Sequence, residues 1–136
     1  MSKEIRVAIN GFGRIGRLVY RIASENPNVK IVLVNDLAEK ESLLYNLRDD
    51  SVHGRFLPKK DDVVSFFRER DPERLELGEF GVDVVIEATG MFTTREDLEK
   101  HLRAGAKKVI LTAPVETSED EYRYSSRVVD MIEHIG

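Results

Sequence analysis

Six residues near the amino terminus, Gly11-Phe12-Gly13-Arg14-Ile15-Gly16, fit the spacing Gly-x-Gly-x-x-Gly. About twenty residues after Gly16 stands an acid, Asp36, the offset at which such a carboxylate meets a ribose. The chemistry these residue types suit is the holding of a diphosphate and its neighbouring sugar. Backbone N–H groups at a helix start, reinforced by the axial dipole, attract anions without a metal. Gly11 is suited to the tight turn, Gly13 to close approach of phosphate, and Gly16 to close helix packing. Arg14 adds a positive charge nearby, and Asn10 ends the segment that leads into the turn.

That assignment needs a strand before the glycines and a helix after them. Ile5 to Asn10 is β-branched, short and stopped by Gly11, as a buried strand is. From Arg14 onward, Ile15, Leu18, Val19 and Ile22 recur at helical spacing and predict an apolar stripe ending near Asn26-Pro27-Asn28. Ile31 to Val34 reads as a second strand covered on both faces, closed by Asn35-Asp36. Leu43, Leu44 and Leu47 mark a second helix, and Val63 to Phe67 a third strand behind the polar stretch Lys59 to Asp62. Val82 to Ile86 is the fourth strand and Val109 to Leu111 the fifth. Between them, Thr93 and Glu96 form a capping box for a helix through Leu98 and Leu102 that Gly105 ends. A last helix follows a second box, Ser118 with Glu121, and shows Tyr124, Val128, Met131, Ile132 and Ile135 on one face, which should dock on the sheet.

Alternating strands and helices at this spacing predict a single α/β domain over residues 1–136, with a core over 1–114, a linker over 115–119 and the final helix over 120–136. The expected architecture is a Rossmann-type doubly wound, mostly parallel sheet of about five strands in the order 3-2-1-4-5. Glycines after a strand can simply turn the chain, and an acid ending a strand can simply cap a helix. Strand, glycines, helix, strand and acid in register make the dinucleotide reading the stronger one. Asp36 would repel a 2′-phosphate, which favours NAD over NADP.

Composition narrows the partners. A chain of 136 residues, 41% hydrophobic, can bury one core. Its 25 acidic against 21 basic side chains leave a net charge of -4, which gives no field to attract nucleic acid or an anionic membrane. Zero cysteines exclude disulfides, thiolate metal sites and cysteine nucleophiles within these residues. No apolar run is long enough to span a bilayer, and Met1 to Arg6 is charged rather than signal-like, so a cytoplasmic protein is expected.

Longer strings carry a family imprint. Ile9 to Arg17, Val34 to Leu37, Asp50 to Phe56, Glu69 to Pro72, Gly81 to Gly90, Phe92 to Glu96 and Ala104 to Ile110 continuing to Ala113-Pro114 closely resemble the amino-terminal domain of glyceraldehyde-3-phosphate dehydrogenases. The resemblance implies NAD as cofactor, with Phe12, Gly13, Arg14 and Ile15 at the diphosphate, Asn35 and Asp36 at the adenosine ribose, and Arg70 near the adenine. It places Thr89, Gly90 and Phe92 along the cleft beyond the fourth strand, and Thr112 and Ala113 beside the nicotinamide. Glu121 to Asp130 is similar to the family's carboxyl-terminal helix, where Ser126 replaces an asparagine that contacts the nicotinamide carboxamide; serine is shorter. Leu57 to Asp62 is shorter than the family's excursion at that place, and aliphatic residues stand near Leu75 to Leu77 where a tryptophan is expected. After Pro114 the catalytic-cysteine segment and substrate domain do not follow, so the resemblance implies a minimised or engineered cofactor domain with the middle removed.

Catalytic groups are not assembled here. The family's hydride transfer uses a thiolate and a histidine; the thiolate is missing, and His53, His101 and His134 read as solvated or packing residues. Tyr20, Tyr45, Tyr122 and Tyr124 lack a lysine four positions on, and no serine triad or Walker loop is present. The expected role is therefore NAD binding without catalysis, adenosine held better than nicotinamide, with self-association through surfaces that the longer family members cover. The rival readings are the cofactor-binding piece of a split dehydrogenase, an adenosine- or RNA-binding module, and a ligand-free scaffold.

Overall fold

The computed structural model describes residues 4–48 and 64–112. Five parallel strands form one sheet: β1 (Ile5–Asn10), β2 (Val29–Asn35), β3 (Ser65–Phe67), β4 (Val84–Glu87) and β5 (Lys108–Leu111). Their spatial order is β3-β2-β1-β4-β5, as the strand spacing predicts. Helices α1 (Arg14–Ser24), α2 (Lys40–Arg48) and α3 (Arg95–Arg103) join them, with a 3-10 turn at Pro72–Arg74.

Alternating side chains along the strands feed two cores. Val7, Ile9, Ile31, Val84 and Ile86 pack with Phe12, Tyr20 and Leu43. Ala8, Val32 and Val85 pack instead with Leu75, Leu77 and Val82. The adjacent pairs Val7/Ala8, Ile31/Val32 and Val84/Val85 thus reach opposite layers, which explains the continuous apolar runs. A register shift between Val7 and Ala8 against β2 marks the one irregular pairing of the central strand with that neighbour.

Four expectations shift in the structure. Strand β3 begins at Ser65, with Val64 before it and Val63 outside the described residues. The buried face of α1 is Gly16, Tyr20 and Ala23, whereas Ile15 and Ile22 are 48% and 63% exposed. Bare backbone at Gly16 lets the helix settle on the β1 turn, so Ile15 and Ile22 face outward while Leu18 and Val19 are half-buried and Val19 still packs against the core. Val19 and Ile22 then border a groove of ≈ 290 Å³ against Val7, Ile31, Val84 and Ile110. Strand β4 begins at Val84 rather than Val82: the Val82 N–H turns back to the Leu77 carbonyl, and the Arg6 N–H of β1 donates to the Asp83 carboxylate at 3.0 Å in place of a backbone carbonyl. The α3 cap is one residue later than the capping box at Thr93 predicts. Thr94 is the N-cap, and its hydroxyl accepts from the Asp97 N–H at 3.2 Å.

The far end of α3 closes as its sequence predicts. Gly105 has φ 120°, while its N–H donates to Leu102 O and the Ala106 N–H donates to His101 O. That pair is a Schellman motif, satisfying carbonyls the helix leaves open. The expected linker and carboxyl-terminal helix over 115–136 lie outside the described residues. Among the described residues no helix is long and apolar enough to cross a membrane.

The cap assignment has a direct consequence. Thr94→Ala should lower unfolding stability by about 1 kcal/mol in urea titration, while Thr93→Ala should change it by clearly less. The reverse order would return the cap to Thr93.

Candidate functional site

The chain crosses over from one side of β1 to the other between β3 and β4, so β1 and β4 flank the switch point of the sheet, and the segments that follow their last paired residues, Asn10 and Glu87, diverge. A crevice opens there, the place where open α/β sheets bind ligands. It has a volume of ≈ 340 Å³ and three walls. Asn10, Gly11 and Gly13 come from the β1 turn, Asn35, Asp36 and Leu37 from the end of β2, and Thr89, Met91 and Phe92 from the loop after β4; Glu69 and Arg70 close one side.

Each motif glycine answers to a different constraint. Gly11 has φ 96°, and a Cβ on it would sit 2.6 Å from the Thr89 nitrogen. A Cβ on Gly16 would meet the Gly11 carbonyl oxygen at 2.2 Å. Both positions are glycine for the fold alone. Gly13 is different: its φ of -79° suits any residue, and a Cβ there would meet nothing within 4 Å. Neither packing nor backbone conformation demands a glycine at this position, which leaves its bare face open toward the crevice.

Gly13 is also the N-cap of α1. No side chain caps the helix, and its first turn holds no acidic residue. In α3, by contrast, Thr94 caps and Glu96 and Asp97 occupy the first turn. The positive end of the α1 dipole therefore faces the cleft with no acid from its own first turn, the nearest carboxylate being that of Asp36 on the Phe12 N–H.

Asp36 points into the same space. Its carboxylate accepts from the Phe12 N–H at 2.7 Å and from the Ala38 N–H at 2.9 Å. These bonds fix the carboxylate between the glycine turn and the crest of β2 while the residue stays partly exposed. A carboxylate has more acceptor sites than those two bonds use, so capacity for hydroxyl donors remains.

The floor is a closed polar network. Asn35 donates to Asn10 Oδ1 at 2.8 Å and to the Glu69 carbonyl at 2.8 Å, and accepts from the Glu69 N–H at 2.8 Å. Asn10 donates to Glu87 Oε1 at 2.7 Å. Both asparagines are 3% exposed. Their amides shape the cleft from beneath, and Asn35 is spent on internal bonds.

Other expected residues are placed less directly. The Phe12 ring is a core group, 1% exposed, edge-on to Tyr20 and Phe66 at 5.7 and 6.4 Å. Only its backbone faces the turn. Arg14 and Ile15 are exposed on the first turn of α1. Arg70 is exposed on the cleft rim, and Gly90, at φ 74°, turns the crest after β4. Thr112 borders the apolar groove rather than this cleft, and its hydroxyl donates to the Glu87 carbonyl at 3.1 Å. Ala113 and Ser126 lie outside the described residues.

Two residues to which the sequence reading gives no site role, Glu87, quoted only within a family string, and His101, read as solvated or packing, are both 0% exposed and face one another at 2.8 Å. Their signals were an acid ending the apolar run Val84-Val85-Ile86 and a histidine one turn beyond Leu98 on the buried side of α3.

Comparison with known proteins agrees with this arrangement. The family model described as glyceraldehyde 3-phosphate dehydrogenase, NAD binding domain, matches residues 5–95. Glyceraldehyde-3-phosphate dehydrogenase of Geobacillus stearothermophilus is 49% identical over 127 residues, an alignment spanning 85% of this chain and 37% of that protein. The Heyndrickxia coagulans protein of the same name is 51% identical over 122 residues, with 81% and 36% covered. That of Thermotoga maritima is 50% identical over 121 residues, with 80% and 36% covered. The chain thus matches little more than a third of the length of these relatives. Its sheet order, its glycine turn and these identities together place it in the family of glyceraldehyde-3-phosphate dehydrogenase NAD-binding domains.

Proposed function

We propose that this chain binds NAD in the crevice between β1 and β4 and carries out no chemistry alone. Gly13 is the observation that carries the reading. A glycine that neither its φ nor its neighbours require, at the uncapped end of α1 and beside the carboxylate of Asp36, is what close approach by a diphosphate would require. Amides of the first turn of α1 would receive the phosphates, with Arg14 adding charge from the rim. Asp36 would accept from the ribose hydroxyls and disfavour a 2′-phosphate at the same place. Arg70 and Phe92 would flank the adenosine side of the rim.

When bound, NAD supplies a hydride acceptor on its nicotinamide ring. The chain's own residues hold and orient it. Asn10 and Asn35 keep the floor rigid through bonds already made, so binding does not have to order them. Of the residues expected at the nicotinamide, Thr112 lines another groove and Ser126 is shorter than the asparagine it replaces. Both support an affinity dominated by the adenosine half. With no cysteine in these residues, a thiolate-dependent step has no nucleophile here.

Calorimetric titration tests the reading. ADP-ribose should bind within about threefold of NAD, and NADP should bind at least tenfold more weakly, a difference of about 1.4 kcal/mol. Absence of heat with both NAD and ADP-ribose would refute it. Gly13→Ser separates ligand approach from folding, since serine is a good N-cap and meets no neighbour. The variant should keep or raise its melting temperature while losing tenfold or more in NAD affinity. Asp36→Ala should weaken NAD by a similar factor and narrow the preference over NADP. Unchanged affinity in both variants would place the dinucleotide elsewhere.

A further inference from the structure

The Glu87 carboxylate lies beneath the cleft with no access to solvent and has donors on every side. Oε1 accepts from Asn10 Nδ2 at 2.7 Å and faces His101 Nε2 at 2.8 Å. Oε2 accepts from the Thr89 N–H at 3.0 Å and the Thr89 hydroxyl at 2.7 Å. Four donors match the lone-pair sites a carboxylate offers. They come from β1, the loop after β4 and helix α3, so a single group joins elements that reach it from different directions.

His101 does more than fill space. Its Nε2 faces a carboxylate, which assigns the ring proton to that nitrogen. Its Nδ1 is buried and finds no partner among the described residues. A leucine of similar size would avoid that unsatisfied atom, so packing alone is poorly served by histidine here. What the ring contributes is the donor to Glu87.

The bonds continue into the cleft walls. Thr89 Oγ1, held by Glu87, accepts from the Met91 N–H at 3.0 Å, and this sets the turn through Gly90. In the other direction Asn10 passes the constraint to Asn35, and Asn35 to the backbone of Glu69 next to Arg70.

We infer that Glu87 and His101 are a buried positioning pair: His101 orients the Glu87 carboxylate from α3, and Glu87 holds the Thr89–Met91 crest and the asparagine floor in the shape that receives the dinucleotide. Neither touches the ligand. This role rests on the NAD-binding reading for its purpose, but the geometry it controls exists without ligand.

The test pairs two measurements on the full chain, calorimetric NAD affinity and backbone amide hydrogen exchange of the ligand-free protein. His101→Leu keeps the volume and removes the donor, whereas His101→Gln restores a donor near the Nε2 position. The leucine variant should exchange at least tenfold faster at Thr89 and Met91, with β2 amides from Ile31 to Val34 unchanged within twofold, and bind NAD at least fivefold more weakly. The glutamine variant should bring both readouts back to within threefold of the parent. Uniform acceleration that includes β2 would reduce His101 to core packing and overturn the inference, as would no change at Thr89 or a glutamine variant no better than leucine. Should the leucine variant fail to fold, His101→Asn replaces it; asparagine falls short of Glu87, and equal exchange in the asparagine and glutamine variants would overturn the pair. A parent chain that binds no NAD would defeat the functional reading alone and leave the exchange comparison to decide.

Discussion

The chain leaves β1 by passing its backbone between β2 and β4 and under the first turn of α1, and the rest of the site depends on that passage. The Gly11 N–H donates to the Asn35 carbonyl at 2.8 Å, and the Ala88 N–H donates to the Asn10 carbonyl at 2.7 Å. From above, Gly16 rests against the Gly11 carbonyl. No side chain fits on Gly11 or Gly16 without moving backbone, so the turn, the helix mouth and the crests of three strands have a fixed relation. The cleft is a by-product of that close packing. Its one unconstrained member, Gly13, is the position that faces outward.

Beneath the turn the structure departs from the apolar filling that usually surrounds a central parallel sheet. Asn10, Asn35, Glu87 and His101 are all nearly or fully buried. Burying such groups is costly unless their bonds are made, and here the asparagine and glutamate bonds form a continuous chain. A continuous polar network resists alternative packing, since shifting one member leaves its neighbours unpaired. That makes the floor stiff where a flexible ligand would otherwise have to order it. The apolar groove beside α1 has the opposite character, with aliphatic side chains and no such network.

The strand order and the pairing of the glycine turn with Asp36 were readable because they follow from local rules: apolar runs for two-sided strands, glycine where backbone meets backbone, an acid at a strand end. The face of α1 was not, because a search for large aliphatics overlooks Gly16, which is buried for want of a side chain. A capping pattern allows a slip of one residue when two threonines are adjacent, as at Thr93 and Thr94. Glu87 and His101 were hidden for a different reason. Charge and polarity place a residue at the surface by default, and only the convergence of Asn10, Thr89 and α3 in space reverses that. The phenylalanine inside the glycine motif shows the converse: its neighbours suggest a ligand contact, while its ring is a plug of the core.

The central claim is that a diphosphate sits on the backbone of Gly13 at the start of α1. Amide chemical shifts recorded while ADP-ribose is added test it most directly, because they report where the ligand touches rather than how tightly. The account predicts that the largest changes fall on the amides of Gly13 to Gly16, with smaller ones at Asp36 and Thr89. Shifts confined to the groove of Val19, Ile22 and Ile110, with the amides of the α1 start unmoved, would contradict it.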